Sequence, residues 1–392
     1  MSQIYFDHSA TTPLDPRVVE AMLPFYGPTF GNPSSVHSFG QVAREAMEQG
    51  RRQVAELFHA SPGEIIFTAS GTEADNMALI GVATQYKPQD CHIITSVFEH
   101  PAILETCKYL QKLGYSISYL PITTEGIVEP ESLKRALQPN TRLVSVMAAN
   151  NVVGTLQPIA ELAKITKSHG ALFHTDAVQA VGKIPLLMDI LPVDMLSMSA
   201  HKLHGPKGVG ALYIRQGVTI EPLVHGGGQE RGVRSATENV AGIVGFGVAA
   251  ALSASEMNEE AVRLTKLRER IIVGIQEQLP NAYLIGHRIK RLPGHVCLGV
   301  SGHESDAILT MLLLNEDGIA ISTGSACSSH HAGQPSYILL AMGLDTERAR
   351  GSLRITLGRF TTDLEVDAFI QALPRAIGNL KPAQAYELAG VA

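Results

Sequence analysis

Apolar and polar positions along this chain change period repeatedly, from alternation at every second residue to recurrence at every third or fourth, and each change marks an element boundary. Charges interleave with apolar positions over residues 16–25, and again over residues 41–58 among Val42, Ala46, Val54 and Leu57, so both stretches predict helices. Residues 27–38 between them carry Gly-Asn-Pro-Ser-Ser, too rich in turn formers for regular structure. From Glu64 the two periods take turns: EIIFTAS predicts a strand, residues 72–85 a helix, HIITSV a strand, residues 101–113 a helix and SISYLPI a strand. LVSVMAAN, a helix over residues 159–169, and ALFHTDA continue the series. This alternation predicts an α/β fold with a mostly parallel sheet and helices on its faces. Ligands in such sheets sit where strands end and helices begin.

The stretch MLSMSAHKLHGPKGVGALYI, residues 195–214, departs from the series by joining two apolar runs through a short polar turn. It predicts strand, loop, strand, with Lys202 at the turning point. A longer loop follows over residues 224–239, where three consecutive glycines exclude a helix or strand interior. A small-residue helix over residues 240–253 and a charged helix over residues 258–279 come next. Beyond residue 282 the strands HVCLGVSG, IAISTG and GSLRITLG mix with helices over residues 306–314, 335–342 and 364–373. We therefore expect a large domain over residues 15–255, with residues 1–14 and 256–392 forming a smaller α+β domain. No internal repeat or low-complexity tract interrupts the pattern.

Composition narrows the function class. With 392 residues and 45% hydrophobic content the chain can bury more than one core, and its net charge of -6 carries no basic footprint for nucleic acid. No run of about 18 apolar residues stands out, and the first residues, MSQIYFDHSATTPLD, lack the basic and apolar regions of a signal peptide. The expectation is a soluble, cytoplasmic protein without a membrane partner. Cys91, Cys107, Cys297 and Cys327 lie far apart, which suggests neither a disulfide framework nor a zinc site.

Chemistry concentrates at two strand ends. Lys202 sits in an apolar segment beside Ser199 and His201 and ahead of Gly205, Gly208 and Gly210, which let a ligand approach closely. A partly desolvated lysine loses its proton more readily, so its amine can attack a carbonyl and form a Schiff base; the aldehyde that fits is pyridoxal phosphate (PLP). That cofactor also needs an anion beside its pyridine nitrogen. Asp176, at the end of ALFHTDA, supplies one from the preceding strand-like run, although an acid in that position can equally be a turn residue. Gly71 and Thr72, between a strand and a helix, would offer backbone N–H groups and a hydroxyl to a phosphate. Thr72 could instead cap its helix with Asp75 completing a capping box, and His100 after the next strand could be a structural histidine.

The motifs GTEADN, FEHPA, HTDAVQ, SAHKLHGPKG and GSACSS, in that order over nearly the whole chain, closely resemble those of the cysteine desulfurases of the NifS/IscS type. These belong to the class V aminotransferase branch of PLP enzymes, with a PLP-dependent transferase fold of the aspartate aminotransferase type. The resemblance implies that Lys202 holds the cofactor, Asp176 pairs with its pyridine nitrogen and Gln179 hydrogen-bonds its phenolic oxygen. It likewise implies that His100 stacks on the ring and that Gly71, Thr72, Ser199 and His201 bind the phosphate. Asn151 and Arg354 would receive the substrate carboxylate, and Thr237 would reach the phosphate of a partner subunit in a homodimer. The catalytic set is then Lys202, His100 and Cys327.

Cys327 decides the reaction. It stands in ISTGSACSSHHAGQPS, among small polar residues, where a thiol has the access and the thiolate character that a nucleophile needs. The resemblance implies that L-cysteine is converted to L-alanine while Cys327 takes the sulfur as a persulfide. A sulfur-acceptor protein such as an iron–sulfur scaffold would then receive it. Another PLP-dependent lyase or aminotransferase on the same fold, for example a selenocysteine or cystine lyase, would have no need of Cys327. A non-catalytic sulfur-transfer or scaffold partner would have no need of Lys202, Asp176 and Gln179 together.

Overall fold

Runs of β-branched and apolar residues flanked by Gly, Pro and Asn form the strands, and the computed structural model describes them over residues 3–324 and 334–380. In chain order they are β1 (Ile4–Tyr5), β2 (Ile65–Thr68), β3 (His92–Ser96), β4 (Ser116–Leu120), β5 (Thr141–Ser145), β6 (Leu172–Asp176), β7 (Met195–Ser199) and β8 (Gly210–Ile214). After these come β9 (Ala282–Leu284), β10 (His295–Val300), β11 (Ile319–Ala320), β12 (Ser322–Thr323) and β13 (Leu353–Thr356).

Among the described residues the main sheet has the order β2-β8-β7-β6-β5-β3-β4. Pairing is parallel from β7 through β4, whereas β8 runs antiparallel to both β7 and β2. The exception follows from chain length. Helical crossovers join β3 to β4, β4 to β5 and β5 to β6, and the long stretch of residues 177–194 joins β6 to β7, but the link from Ser199 to Gly210 is too short for a crossover and has to reverse direction. β2, β3 and β7 are buried at every position, because helices cover both faces of the sheet. The ends of β2, β3, β5, β6 and β7 therefore emerge along one edge.

A second, antiparallel sheet has the order β12-β13-β10-β9, and β1 pairs in parallel with β11. The run IAISTG, expected as one strand, divides at Ile321 between these two sheets. The short helix Pro130–Ala136 had no counterpart in the sequence pattern, since its seven residues hold too few turns to show a period. One apolar core packs around the main sheet. Another packs Phe6, Val296, Ile355 and Phe369 around the small sheets, with Phe6 and Phe369 edge to face at 5.7 Å.

The largest departure from expectation is the helix Val240–Gln278. Residues 240–279 were expected to hold two helices, yet they form one of 39 residues, because Ala254, Ser255, Glu256 and Met257 contain no helix breaker. Its first half puts Ile243, Phe246, Ala249 and Ala250 into the main core, and its second half puts Leu264, Leu267, Ile271 and Ile275 into the other. By length and a mean hydropathy of 1.6 this helix could cross a membrane, contrary to the expectation of no such run. Its apolar window is 56% buried inside the protein, so that apolarity is spent on the cores.

Candidate active site

The strand ends along the common edge converge on a cleft of about 410 Å³. Lys202 ends a short 3-10 turn, Ala200–Lys202, that follows β7, and its Nζ donates to the carbonyls of Ser9 at 2.5 Å and Ala10 at 2.7 Å. Asp176 closes β6 one strand over. Its Oδ1 accepts the Val178 N–H at 2.9 Å, so the turn role and the place in the cleft coexist in one residue. Gln179 Nε2 donates to the Ser9 carbonyl at 3.0 Å. Three candidate side chains thus meet around the N-terminal segment.

The helix Gly71–Ala83 points its N-terminus at the same cleft. Ser70, not Thr72, is the cap: its Oγ accepts the Glu73 N–H at 3.1 Å, which leaves the Thr72 side chain exposed towards the cleft. A Cβ on Gly71 would stand 2.6 Å from Val178 Cγ2, so the packing of this turn against the strand ends requires glycine. Ser199 and His201 complete that end of the cleft, with His201 Nδ1 3.1 Å from Thr11 Oγ1. Burial, then the Lys202 charge, pushes His201 down to about 4, so its ring is neutral near pH 7.

His100 caps the next helix, Pro101–Lys112. Its Nδ1 accepts the Ala102 N–H at 3.1 Å, which fixes the ring plane and leaves the proton on Nε2. Burial lowers its pKa, against the pull of Asp176. For Asp176 itself burial raises the pKa, while the His100 and Lys202 charges and the Val178 N–H lower it. Arg354, on β13, is 1% exposed, and Asn151 also lines the cleft. The Arg354 guanidinium donates to Asp7 Oδ1 at 2.8 Å and to the Asn151 carbonyl at 3.1 Å.

One expected site residue lies elsewhere. Thr237 is exposed on a loop outside this cleft. That loop bends through left-handed backbone at Glu230, Arg231 and Ala236. Glu230 anchors it: its carboxylate takes both Nη atoms of Arg51 at 2.7 Å and the Phe67 N–H at 2.8 Å. Arg234 adds a 2.7 Å bond to Glu73. Cys327 falls in residues 325–333, outside the described residues, as do residues 381–392.

Sequence reasoning gave Asp75, which lines the cleft, only a capping role and passed over Glu99. Asp75 is buried, and burial, with the Asp176 charge, raises its pKa well above the carboxylate range. Behind it His174 bridges Ser145 at 2.8 Å and Ser197 at 2.9 Å. Glu99, also fully buried, accepts from Ser96 Oγ and the Met147 N–H, and burial pushes it up to about 8. Asp75 and Glu99 lie inside the motifs GTEADN and FEHPA. Asp7 was a missed site residue as well; its only signal was the polar run Asp7-His8-Ser9 ahead of a helix.

A lysine and a carboxylate at adjacent strand ends, facing a helix N-terminus and a buried arginine, define a class of α/β enzyme that handles small anionic substrates. The family model of aminotransferase class-V matches residues 4–369, and the chain belongs to that family. Within it the chain is 49% identical to "Cysteine desulfurase IscS" of Dictyoglomus turgidum over 98% of this chain and 97% of the relative. Among solved structures it is similar to a "NIFS-like protein", with a TM-score of 0.90 and 41% identity, covering 96% of this chain and 100% of the other. It is also similar to "SspA in complex with cysteine", with a TM-score of 0.81 and 33% identity, covering 92% and 100%.

Proposed function

We propose that this chain is a PLP-dependent cysteine desulfurase that converts L-cysteine to L-alanine and carries the sulfur as a persulfide on Cys327. The observation that carries this reading is the convergence of Lys202, Asp176, Gln179 and His100 on one cleft whose wall includes Arg354. The cleft fits the cofactor in volume and chemistry. Gly71 and Thr72 bring a helix N-terminus to the cleft for a phosphate, Asp176 is a buried acid, and Lys202 reaches the cleft from the facing turn.

Bound there, the cofactor would supply an aldehyde for the Lys202 amine and an electron sink for negative charge at the substrate Cα. Asp176 would hold an anion for the cofactor's ring nitrogen, and Gln179 and His100 would orient the cofactor. Arg354 receives the substrate carboxylate. Lys202 Nζ then takes the Cα proton, since a neutral amine in a partly buried site is a competent base. The Cys327 thiolate attacks the substrate sulfur; the sulfur–carbon bond breaks and its electron pair passes to the substrate Cβ, which is protonated, and the Cα proton returns from Lys202 to give alanine. Ser322 lines the cleft, and Cys327 lies five residues later in the sequence.

A homodimer fits the surface. Leu23, Tyr26, Phe30, Val36 and Phe39 are exposed within one short stretch, with Val36 at 86%, a concentration that supports pairing of two copies through it. Thr237, on its anchored loop, would then serve the neighbouring cleft. The persulfide would pass to an acceptor protein such as an iron–sulfur scaffold.

Cys327→Ser tests the assignment. The variant should keep the cofactor absorption and its change on adding L-cysteine, yet form almost no alanine, because a serine hydroxyl is a far weaker nucleophile at neutral pH. Alanine formation at the wild-type rate would make Cys327 a bystander and the chain a lyase of another kind.

A further inference from the structure

His100 enters the cleft from a segment whose backbone and side chains are pinned residue by residue. Asn150 Nδ2 donates to the Phe98 carbonyl at 2.9 Å, and the Glu99 carboxylate takes Ser96 Oγ and the Met147 N–H. Those partners come from β3 and from the residues just after β5. The Glu99 carbonyl is held from elsewhere: Tyr337 Oη donates to it at 2.6 Å, across 238 positions of sequence. Tyr337 opens the short helix Tyr337–Ala341, which puts Ile338 and Leu339 into one apolar cluster with Phe98. The packing that the two segments share thus delivers the hydroxyl to the carbonyl.

The peptide that carries this carbonyl is the one that joins Glu99 to His100. Pro101 confines the residue before it to extended backbone, and His100 has a ψ of 149°. Its ring is held by the Ala102 N–H at 3.1 Å. The remaining soft torsion is φ, and because a peptide is planar, turning about φ turns the Glu99 carbonyl. We propose that Tyr337 is a positioning residue for His100: its hydroxyl fixes the peptide plane ahead of His100, and with it the angle at which the imidazole meets a ring bound in the cleft. The proposal rests on His100 orienting the cofactor there. Glu99 is fully buried, so water does not take the place of a lost hydroxyl, and the peptide then rotates and carries His100 with it.

The test is Tyr337→Phe, which removes one oxygen and keeps the ring, read in the PLP-loaded protein. The cofactor should bind roughly fivefold more weakly, and the visible circular dichroism of the bound cofactor, which reports its asymmetric setting, should change. His100→Ala removes the group that Tyr337 positions, so in that background Tyr337→Phe should have no further effect on affinity or dichroism. Ile338→Val loosens the shared cluster but keeps the hydroxyl; it should lower the melting temperature and leave both cofactor readings at the wild-type values. Thermal melting shows that each variant folds, and His100→Gln replaces His100→Ala if that protein does not. Unchanged readings in Tyr337→Phe, a full Tyr337→Phe effect in the absence of the imidazole, or an Ile338→Val variant that shifts the readings equally overturns the proposal. A wild-type protein that binds no PLP, or a His100→Ala protein with wild-type cofactor affinity and dichroism, sinks the underlying reading instead.

Discussion

Arg354 and Asp7 form a 2.8 Å ion pair inside the cleft that ties β13 to the segment following β1, a contact between residues 347 positions apart. The arginine is therefore held in place before any substrate carboxylate arrives, and a ligand has to compete with Asp7 for it. Arg354→Ala should raise KM for L-cysteine by roughly thirtyfold or more, the cost of leaving a buried carboxylate without its partner. Asp7→Asn should move KM the other way, by removing the competitor. Steady-state kinetics of the two variants decide the matter, and equal KM values would take the substrate carboxylate elsewhere.

The Arg51–Glu230 pair is the buried anchor of the Thr237 loop, with Arg51 also 4.8 Å above the Phe67 ring. Glu230→Ala strands the guanidinium and the Phe67 N–H together, and should cost about 3–5 kcal/mol of stability. Urea denaturation reads the loss. Removing both charges, as Arg51→Met with Glu230→Met, should recover much of it, because the apolar pair needs no compensation.

Glu99 gives the protein a pH dependence of known sign. Its folded pKa is about 8 against an ordinary 4.5, so the folded state holds a proton that the unfolded chain has released between those values. Stability from this group is complete below 4.5 and falls as pH rises towards 8. Glu99→Gln copies the protonated acid and should remove that slope, gaining on the wild type progressively across the window. Denaturation curves measured at several pH values should diverge; parallel curves would mean that Glu99 is already ionised in the fold.

Local chemistry was legible wherever sequence neighbours stay neighbours in space. The strand ending at Asp176 and the turn at Lys202 could be placed from their own residues, because a parallel strand end and a short reversal leave few alternatives. The Ser70 cap was missed because Thr72 satisfies the same local rule, and only the Glu73 N–H chooses between them. Asp7 and Glu230 act through partners 347 and 179 positions away. Periodicity likewise could not tell that the small-residue helix and the charged helix are one, since the apolar stripe changes neighbours midway along Val240–Gln278 while the backbone continues.

That uninterrupted helix makes the protein indivisible. At 39 residues it runs roughly 58 Å, and a helix of this length tilts as a beam rather than folding at its middle. A polypeptide ending at residue 255 would keep Ile243 and Phe246 but would leave the other core without Leu264, Leu267 and Ile271. The complementary piece would begin inside a helical turn with no cap to start it. Two separately made halves would each expose apolar surface that the other half of the helix covers in the whole chain.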